Sequence, residues 1–151
     1  MHIEQIINKI VVINNTFYKI QHSNMEGLNY ISIYNPASKC FLRHARGIIR
    51  EDEYKEDIIF FNDSSFKPLV FNSSIRFFCI NLNDQAIVLD GNVLKISNAY
   101  NNLISFFNFS DEFQLDNHNI QIESVSEINY ENKLINNILI LKNQKLKFLQ
   151  D

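Results

Sequence analysis

Short apolar runs alternate with polar clusters along the whole chain. Residues 30–34 (YISIY) place apolar and polar side chains in alternation, and Asn35-Pro36 then supplies a turn signal. Residues 75–80 and 86–89 form further short runs rich in Ile, Val and Phe, which suit a pleated, half-buried surface. No run keeps a helical period over several turns. The pattern predicts an all-β protein.

A repeated phrase accompanies these runs. Residues 59–66 read IFFNDSSF, residues 106–113 read FFNFSDEF and residues 10–17 read IVVINNTF. Each phrase joins an apolar run to a polar cluster and ends on Phe. The asparagines of the turns that follow also correspond: Asn35, Asn81 and Asn129. Self-similarity at a regular interval predicts one supersecondary unit used three times.

The repeat predicts a β-trefoil that occupies residues 1–151 as a single domain. The units cover about residues 17–65, 66–112 and 113–151, and residues 1–16 complete the third unit. We therefore expect the N-terminal and C-terminal strands to belong to the same repeat and to pair with each other, which would remove exposed sheet edges. A jelly roll or an immunoglobulin-like sandwich would also be all-β, but neither predicts a threefold repeat.

Composition changes this prediction little, but it narrows the function. The chain has three glycines, two prolines and no tryptophan, whereas Asn is abundant between the apolar runs. Asn tolerates left-handed backbone, so we expect it to take the place of glycine in turns. The net charge is −3 with both signs mixed, which excludes the basic footprint of a nucleic-acid-binding protein.

Membrane insertion is not expected. Residues 3–13 are largely apolar, but Glu4 and Lys9 interrupt them and no small-residue cleavage site follows. We interpret this stretch as a strand. The sequence leaves two localisations open: cytoplasmic if Met1 is the native start, and extracellular if a leader was removed.

Catalytic and metal-binding signals are weak. Cys40 and Cys79 both lie within apolar runs, which favours two free buried thiols over a disulfide. Three of the four histidines, His2, His22 and His118, are dispersed along the sequence. No glycine-rich phosphate loop or nucleophile motif is present. The sequence therefore predicts a protein that is not an enzyme and that has no cofactor or metal.

Two short motifs carry a family resemblance. Residues 41–44 read FLRH and residues 63–66 read DSSF, at suitable spacing within a stretch of about forty residues. In this order they resemble the repeat of the AbfB domain, the arabinose-binding β-trefoil of carbohydrate-binding module family 42. The resemblance implies a furanose pocket in which His44 and Asp63 make polar contacts, with Tyr54 as an aromatic wall.

The other two units depart from these motifs. At the His position the second unit has Asp90 and the third has Asn137. At the Asp position they have Ser110 and Asn14. We therefore expect at most one kept sugar pocket.

Two functions follow from the sequence. The first is a non-catalytic, lectin-like carbohydrate-binding module whose partner is an arabinose-containing or other glycan. The alternative is a β-trefoil scaffold for protein interaction that has lost sugar binding. A purely structural reading also stays open, since Asp63 could cap its own turn and His44 could satisfy a backbone carbonyl.

Overall fold

The computed structural model describes residues 3–25 and 29–110. A short 3-10 helix, Ile3–Gln5, precedes the first strand. The remaining elements in chain order are β1 (Ile10–Ile13), β2 (Thr16–His22), β3 (Ile31–Asn35), β4 (Cys40–Ala45), β5 (Ile48–Asp52), α1 (Ile58–Asp63), β6 (Phe66–Phe71), β7 (Ser74–Cys79), β8 (Gln85–Asp90), β9 (Val93–Asn98) and β10 (Phe107–Ser110).

Nine strands close into an antiparallel β-barrel. The ring runs β10-β1-β2-β3-β4-β5-β9-β8-β7, and β7 pairs with β10 to close it. Strand β6 lies outside this ring order: it pairs with β7 along its length and meets β3 where Phe66 lies opposite Ile31. Each ring strand thus has two partners within the ring, so among the described strands the ring has no free edge.

The predicted β-trefoil is therefore wrong, although the described residues are all-β apart from two short helices. A trefoil would set aside one hairpin per repeat as a cap on a six-stranded barrel. Here β5 joins β9, with Ile48 opposite Lys95 and a 2.8 Å hydrogen bond from Ile96 N to Gly47 O. Hairpins β4–β5 and β8–β9 consequently form the barrel wall. Similar local phrases specify similar strands and turns, but long-range packing decides which strands pair.

The expected pairing of the two chain ends falls outside the described residues, because residues 113–151 are not among them. Within the described part, β1 pairs with β2 and with β10. The strand predicted for residues 3–13 is shorter than expected, since only Ile10–Ile13 is extended.

Residues 58–61, which the repeat predicts as a strand, form the first turn of α1 instead. Asp57 has extended backbone angles, and its Oδ1 accepts a 2.7 Å hydrogen bond from Phe60 N. This is the geometry of an N-cap, which satisfies a backbone donor that the helix cannot pair. Phe60 is buried, while Ile58 and Ile59 remain exposed.

The barrel interior is filled by branched aliphatic and aromatic side chains. Val11, Ile20, Ile33 and Phe77 are fully buried there, and the ring of Phe77 stacks against Phe107 at a centroid distance of 6.4 Å. Burying a side chain of this size contributes about 1.5–3 kcal/mol relative to leaving it exposed. The core therefore accounts for much of the stability of the barrel.

One charged side chain, Arg76 on β7, is fully buried. Its Nε donates a 3.0 Å hydrogen bond to Ser105 Oγ, and its guanidinium lies 4.3 Å from the centroid of Phe106 and 5.5 Å from that of Tyr100. Burial lowers the pKa of Arg76 to about 10, an effect that Tyr100 partly opposes. Ring faces stabilise a desolvated cation.

Among residues 3–25 and 29–110, no helix is both long and apolar enough to cross a membrane.

Candidate functional site

The fold brings His44 and Asp63 together. His44 is near the end of β4, and Asp63 is the last residue of α1, which packs against β4. His44 Nε2 lies 3.7 Å from Asp63 Oδ1. His44 is buried, and the Asp63 side chain is 19% exposed. The carboxylate can therefore be reached from solvent, while the imidazole beside it is buried.

Arg43 anchors the Asp63 carboxylate. Its Nη2 donates a 2.8 Å hydrogen bond to Asp63 Oδ2, and its Nη1 lies 3.5 Å from Asp52 Oδ2. The guanidinium also lies 5.3 Å from the centroid of the Phe60 ring. Charge-assisted hydrogen bonds of this kind are stronger than neutral ones, and they hold the carboxylate in one orientation.

Asn81, the second residue after β7, completes the cluster. Its Oδ1 lies 3.0 Å from His44 Nε2, and its Nδ2 donates a 3.5 Å hydrogen bond to Asp63 Oδ1. The sequence predicted only a turn role for this asparagine, as for Asn35. Asn35 does hold its turn, with its Oδ1 accepting from Ala37 N at 2.9 Å. Asn81 makes a different set of contacts, which the repeat alone could not reveal.

We refer to Arg43, His44, Asp63 and Asn81 as the polar cluster. The alternative role considered for His44, a bond to a backbone carbonyl, is not what the structure shows, because its described hydrogen bond is to Asn81. Asp63 likewise pairs with Arg43 rather than capping its own turn.

Tyr54 stands apart from the polar cluster but is connected to it. Its ring is 46% exposed and lies 5.8 Å from Phe60 and 6.1 Å from Phe61, as measured between centroids. Phe60 in turn contacts the Arg43 guanidinium. The aromatic contact between Tyr54 and the polar cluster therefore runs through the buried Phe60 ring.

The charges around the polar cluster balance. Arg50 Nε lies 3.0 Å from Asp52 Oδ2, so Arg43 and Arg50 face the two carboxylates of Asp52 and Asp63. A site with paired charges offers little attraction to an ion of either sign.

Burial and the negative charge of Asp63 affect the pKa of the Cys79 thiol, and Cys79 is not a nucleophile. Burial, and secondarily the negative charge of Asp63, raise the pKa of the Cys79 thiol to about 12. The reactive species is the thiolate, so this thiol is inert at neutral pH. Both cysteines are free, with Cys79 buried and Cys40 half-buried.

The residues of the second and third units that correspond to His44 and Asp63 make other contacts. Asp90 pairs with Lys95 Nζ at 2.6 Å in the β8–β9 hairpin. Ser110 lies opposite Ile10 at the end of β10, and Asn14 Nδ2 donates to Asn92 O at 3.4 Å. Asn137 lies outside the described residues.

A metal site would need several ligands in one place. In the part of the chain that the structure covers, no group of three His, Cys, Asp or Glu side chains could hold a metal ion.

Comparisons with known proteins bear on the fold alone. No protein-family model matches the chain, and no curated protein matches it. One similar solved structure is a GH43 beta 1,3 galactosidase, with a TM-score of 0.50 and 13% sequence identity. The match covers 84% of this chain and 29% of that one, so the chain spans less than a third of its length. At this identity the likeness concerns the all-β architecture.

Proposed function

We propose that this protein is a non-catalytic domain that binds an uncharged sugar at the polar cluster. The observation that carries the proposal is the convergence of His44, Asp63 and Asn81 from three separate parts of the chain. The resemblance of residues 41–44 and 63–66 to arabinofuranose-binding repeats supports the same two side chains, His44 and Asp63, as ligand contacts.

The chemistry of Asp63 suits sugar hydroxyls. An ionised carboxylate has about four lone-pair positions, and the described donors Arg43 and Asn81 each occupy one. The remaining positions can accept hydrogen bonds from a ligand. Because the surrounding charges balance, we expect a neutral sugar to bind better than a uronic acid or an amino sugar.

Tyr54 supplies an apolar surface for the same ligand. Small-molecule sites combine aromatic lining with a few fixed polar groups. Tyr54 is exposed and packs on Phe60 and Phe61, and the buried Phe60 in turn contacts the Arg43 guanidinium.

The arrangement of the carboxylates favours binding over glycoside hydrolysis. Hydrolases of the common type place two carboxyl groups on either side of the scissile bond. Here Arg43 contacts both Asp52 and Asp63. The guanidinium thus holds both carboxylates as ion-pair partners, a poor arrangement for a general acid.

A glycan array followed by isothermal titration with arabinose and arabinan fragments tests the proposal. Asp63→Asn keeps the side-chain shape but weakens the contacts to Arg43, and Tyr54→Ala changes an exposed ring. We expect Asp63→Asn to weaken binding at least about tenfold, since lost hydrogen bonds to a charged group cost about 1.5–3 kcal/mol. We expect Tyr54→Ala to weaken binding through the lost apolar contact with the sugar.

Asp90→Asn is the matched control because it makes the same Asp-to-Asn change at an ion-paired carboxylate outside the polar cluster, where Asp90 pairs with Lys95 in the β8–β9 hairpin. It should bind as the unaltered protein does. A blank array with folded protein, or equal binding by Asp63→Asn and the unaltered protein, would contradict the proposal.

A second candidate function is binding of another protein through α1. Ile58 and Ile59 are 60% and 66% exposed, and Tyr54 lies on the preceding segment. Glu53 and Glu56 are exposed nearby. An apolar surface flanked by acidic side chains fits a polypeptide segment that carries apolar anchors and basic neighbours.

A displayed library of random peptides tests this candidate. Enriched peptides should combine apolar and basic residues, and should lose binding to Ile59→Ser while keeping it to Val93→Ser, a control at an exposed site on β9. Enrichment without a basic bias, or peptides that ignore Ile59→Ser, would count against it.

A further inference from the structure

The orientation of the Asn81 carboxamide follows from its neighbours. The Asp63 carboxylate, ion-paired with Arg43, can only accept hydrogen bonds. The Asn81 atom that faces Asp63 Oδ1 must therefore be the Nδ2 amide, since an oxygen there would be repelled. This leaves Asn81 Oδ1 facing His44 Nε2 at 3.0 Å.

The same reasoning places the proton of His44. Asn81 Oδ1 is an acceptor, so the ring nitrogen that faces it must carry the hydrogen. In the neutral imidazole the other nitrogen, Nδ1, is then an acceptor. His44 Nδ1 has no hydrogen-bond partner among the described residues.

We infer that Asn81 fixes the Nε2-protonated form of His44 and so leaves the polar cluster with more unused hydrogen-bond acceptors than donors. Arg43 Nη1 and Nη2 face Asp52 and Asp63, and Arg43 Nε is buried without a hydrogen-bond partner among the described residues. The unused acceptors are His44 Nδ1 and the free positions of the Asp63 carboxylate, and the unused donor at the surface is the second Nδ2 hydrogen of the exposed Asn81. This inference rests on the proposed function, and Asn81 acts in it as a positioning residue.

The ligand class becomes narrower as a result. A ligand must bring its own hydrogen-bond donors, so a sugar with free hydroxyls fits. An O-methylated sugar has the same ring and the same oxygens but no donors. A site that holds buried acceptors discriminates strongly against such an analogue, because its own groups stay unpaired.

A long-range proton–nitrogen NMR spectrum tests the position of the proton. The full chain is labelled at histidine and recorded at pH about 8.5, where free imidazole is neutral. A His44→Gln variant identifies the His44 signals. We expect a protonated Nε2, a bare Nδ1 and slow solvent exchange of the Nε2 proton. A proton on Nδ1 would overturn the inference.

Two variants separate positioning from general stability. In Asn81→Ala the exchange of the His44 Nε2 proton should accelerate at least about tenfold, because its acceptor is gone. Asn35→Ala removes the corresponding turn asparagine and should leave that exchange unchanged. Equal exchange in Asn81→Ala and the unaltered protein would count against the role of Asn81. If Asn81→Ala does not fold, the spectrum of the unaltered protein still decides.

The ligand class is tested with methyl arabinofuranoside and its fully O-methylated derivative. Titration should give a signal for the first and a loss of at least about tenfold for the second. Equal binding would refute the excess of acceptors over donors in the polar cluster. If neither sugar binds, arabinoside binding at this site fails, and with it the predicted ligand class, while the NMR result still reports on Asn81 alone.

Discussion

Asparagine does the work of glycine in the turns of this barrel. Five of the eight non-glycine residues with positive φ in the described part are asparagines: Asn8, Asn14, Asn15, Asn29 and Asn72. A short side chain that can hydrogen-bond to its own backbone lowers the free-energy cost of this conformation for an L-residue. The sequence-based prediction for Asn is thereby confirmed, and it needed only local information.

The two thiols should differ sharply in reactivity. At pH 8 a disulfide reagent should modify Cys40 in the folded protein and reach Cys79 only after unfolding, because the pKa of Cys79 is raised to about 12 and its thiolate is scarce. In the Cys40→Ser variant the folded protein should not react. Rapid modification of two thiols in the folded protein would contradict this.

The raised pKa of Cys79 also sets a direction for stability. A thiol with a higher pKa in the folded state stabilises the fold below its unfolded pKa of about 8.5. That contribution is lost as the pH rises from there towards about 12. Cys79→Ala should therefore lose stability less steeply than the unaltered protein in urea titrations between these pH values.

The polar cluster could be predicted only in part. His44 and Asp63 emerged from short motifs in one continuous stretch, and the structure places them 3.7 Å apart. Asn81 did not emerge, because its two contacts cross to a different hairpin. A sequence shows what a residue can bond to locally, and only the pairing of strands shows what it meets.

At the scale of elements, α1 shows where a repeated pattern misleads. Residues 58–61 match an extended phrase in the other units, yet Asp57 caps a helix here. The cap is a local signal, and it outweighs β-branched residues whose side chains are exposed and gain nothing from a sheet. The helix places Asp63 at its end, within reach of Arg43.

Removal of the Asp57 N-cap should destabilise α1, the helix that ends at Asp63. Asp57→Ala should lower the free energy of unfolding by about 1 kcal/mol, since Phe60 N loses its acceptor. Asp57→Asn keeps an acceptor and should fall near the unaltered protein. Urea denaturation measures both. A loss in Asp57→Asn equal to that in Asp57→Ala would show that charge, rather than the cap, matters.

At the scale of the whole molecule, strand count and strand pairing proved to be separate questions. Alternation and turn residues predicted most strands and the all-β class. The pairing of β5 with β9 and of β7 with β10 joins residues far apart in sequence. Such strand pairings produce no periodic pattern in the sequence, because any apolar strand face can pack on another. The repeat therefore could not distinguish a nine-stranded ring from a trefoil.

A single large cavity should weaken the barrel as a unit. Phe77 is fully buried between Phe66 and Phe107. Phe77→Ala should lower the free energy of unfolding by about 3–5 kcal/mol through lost burial and the space left behind. Val93→Ala, at a site 52% exposed, should change it little. Tyrosine fluorescence and far-ultraviolet circular dichroism should report one shared transition, and two separate transitions would contradict a cooperative ring.

The contact between β1 and β10 also dictates when the molecule can form. Ile10 faces Ser110, so the first described strand to leave the ribosome can pair with β10 only after the last described strand has been made. Hairpins β1–β2 and β8–β9 can assemble during synthesis, whereas closure awaits translation past residue 110. Pairings between residues far apart in sequence slow folding, so the pairing of β1 with β10 should limit the folding rate.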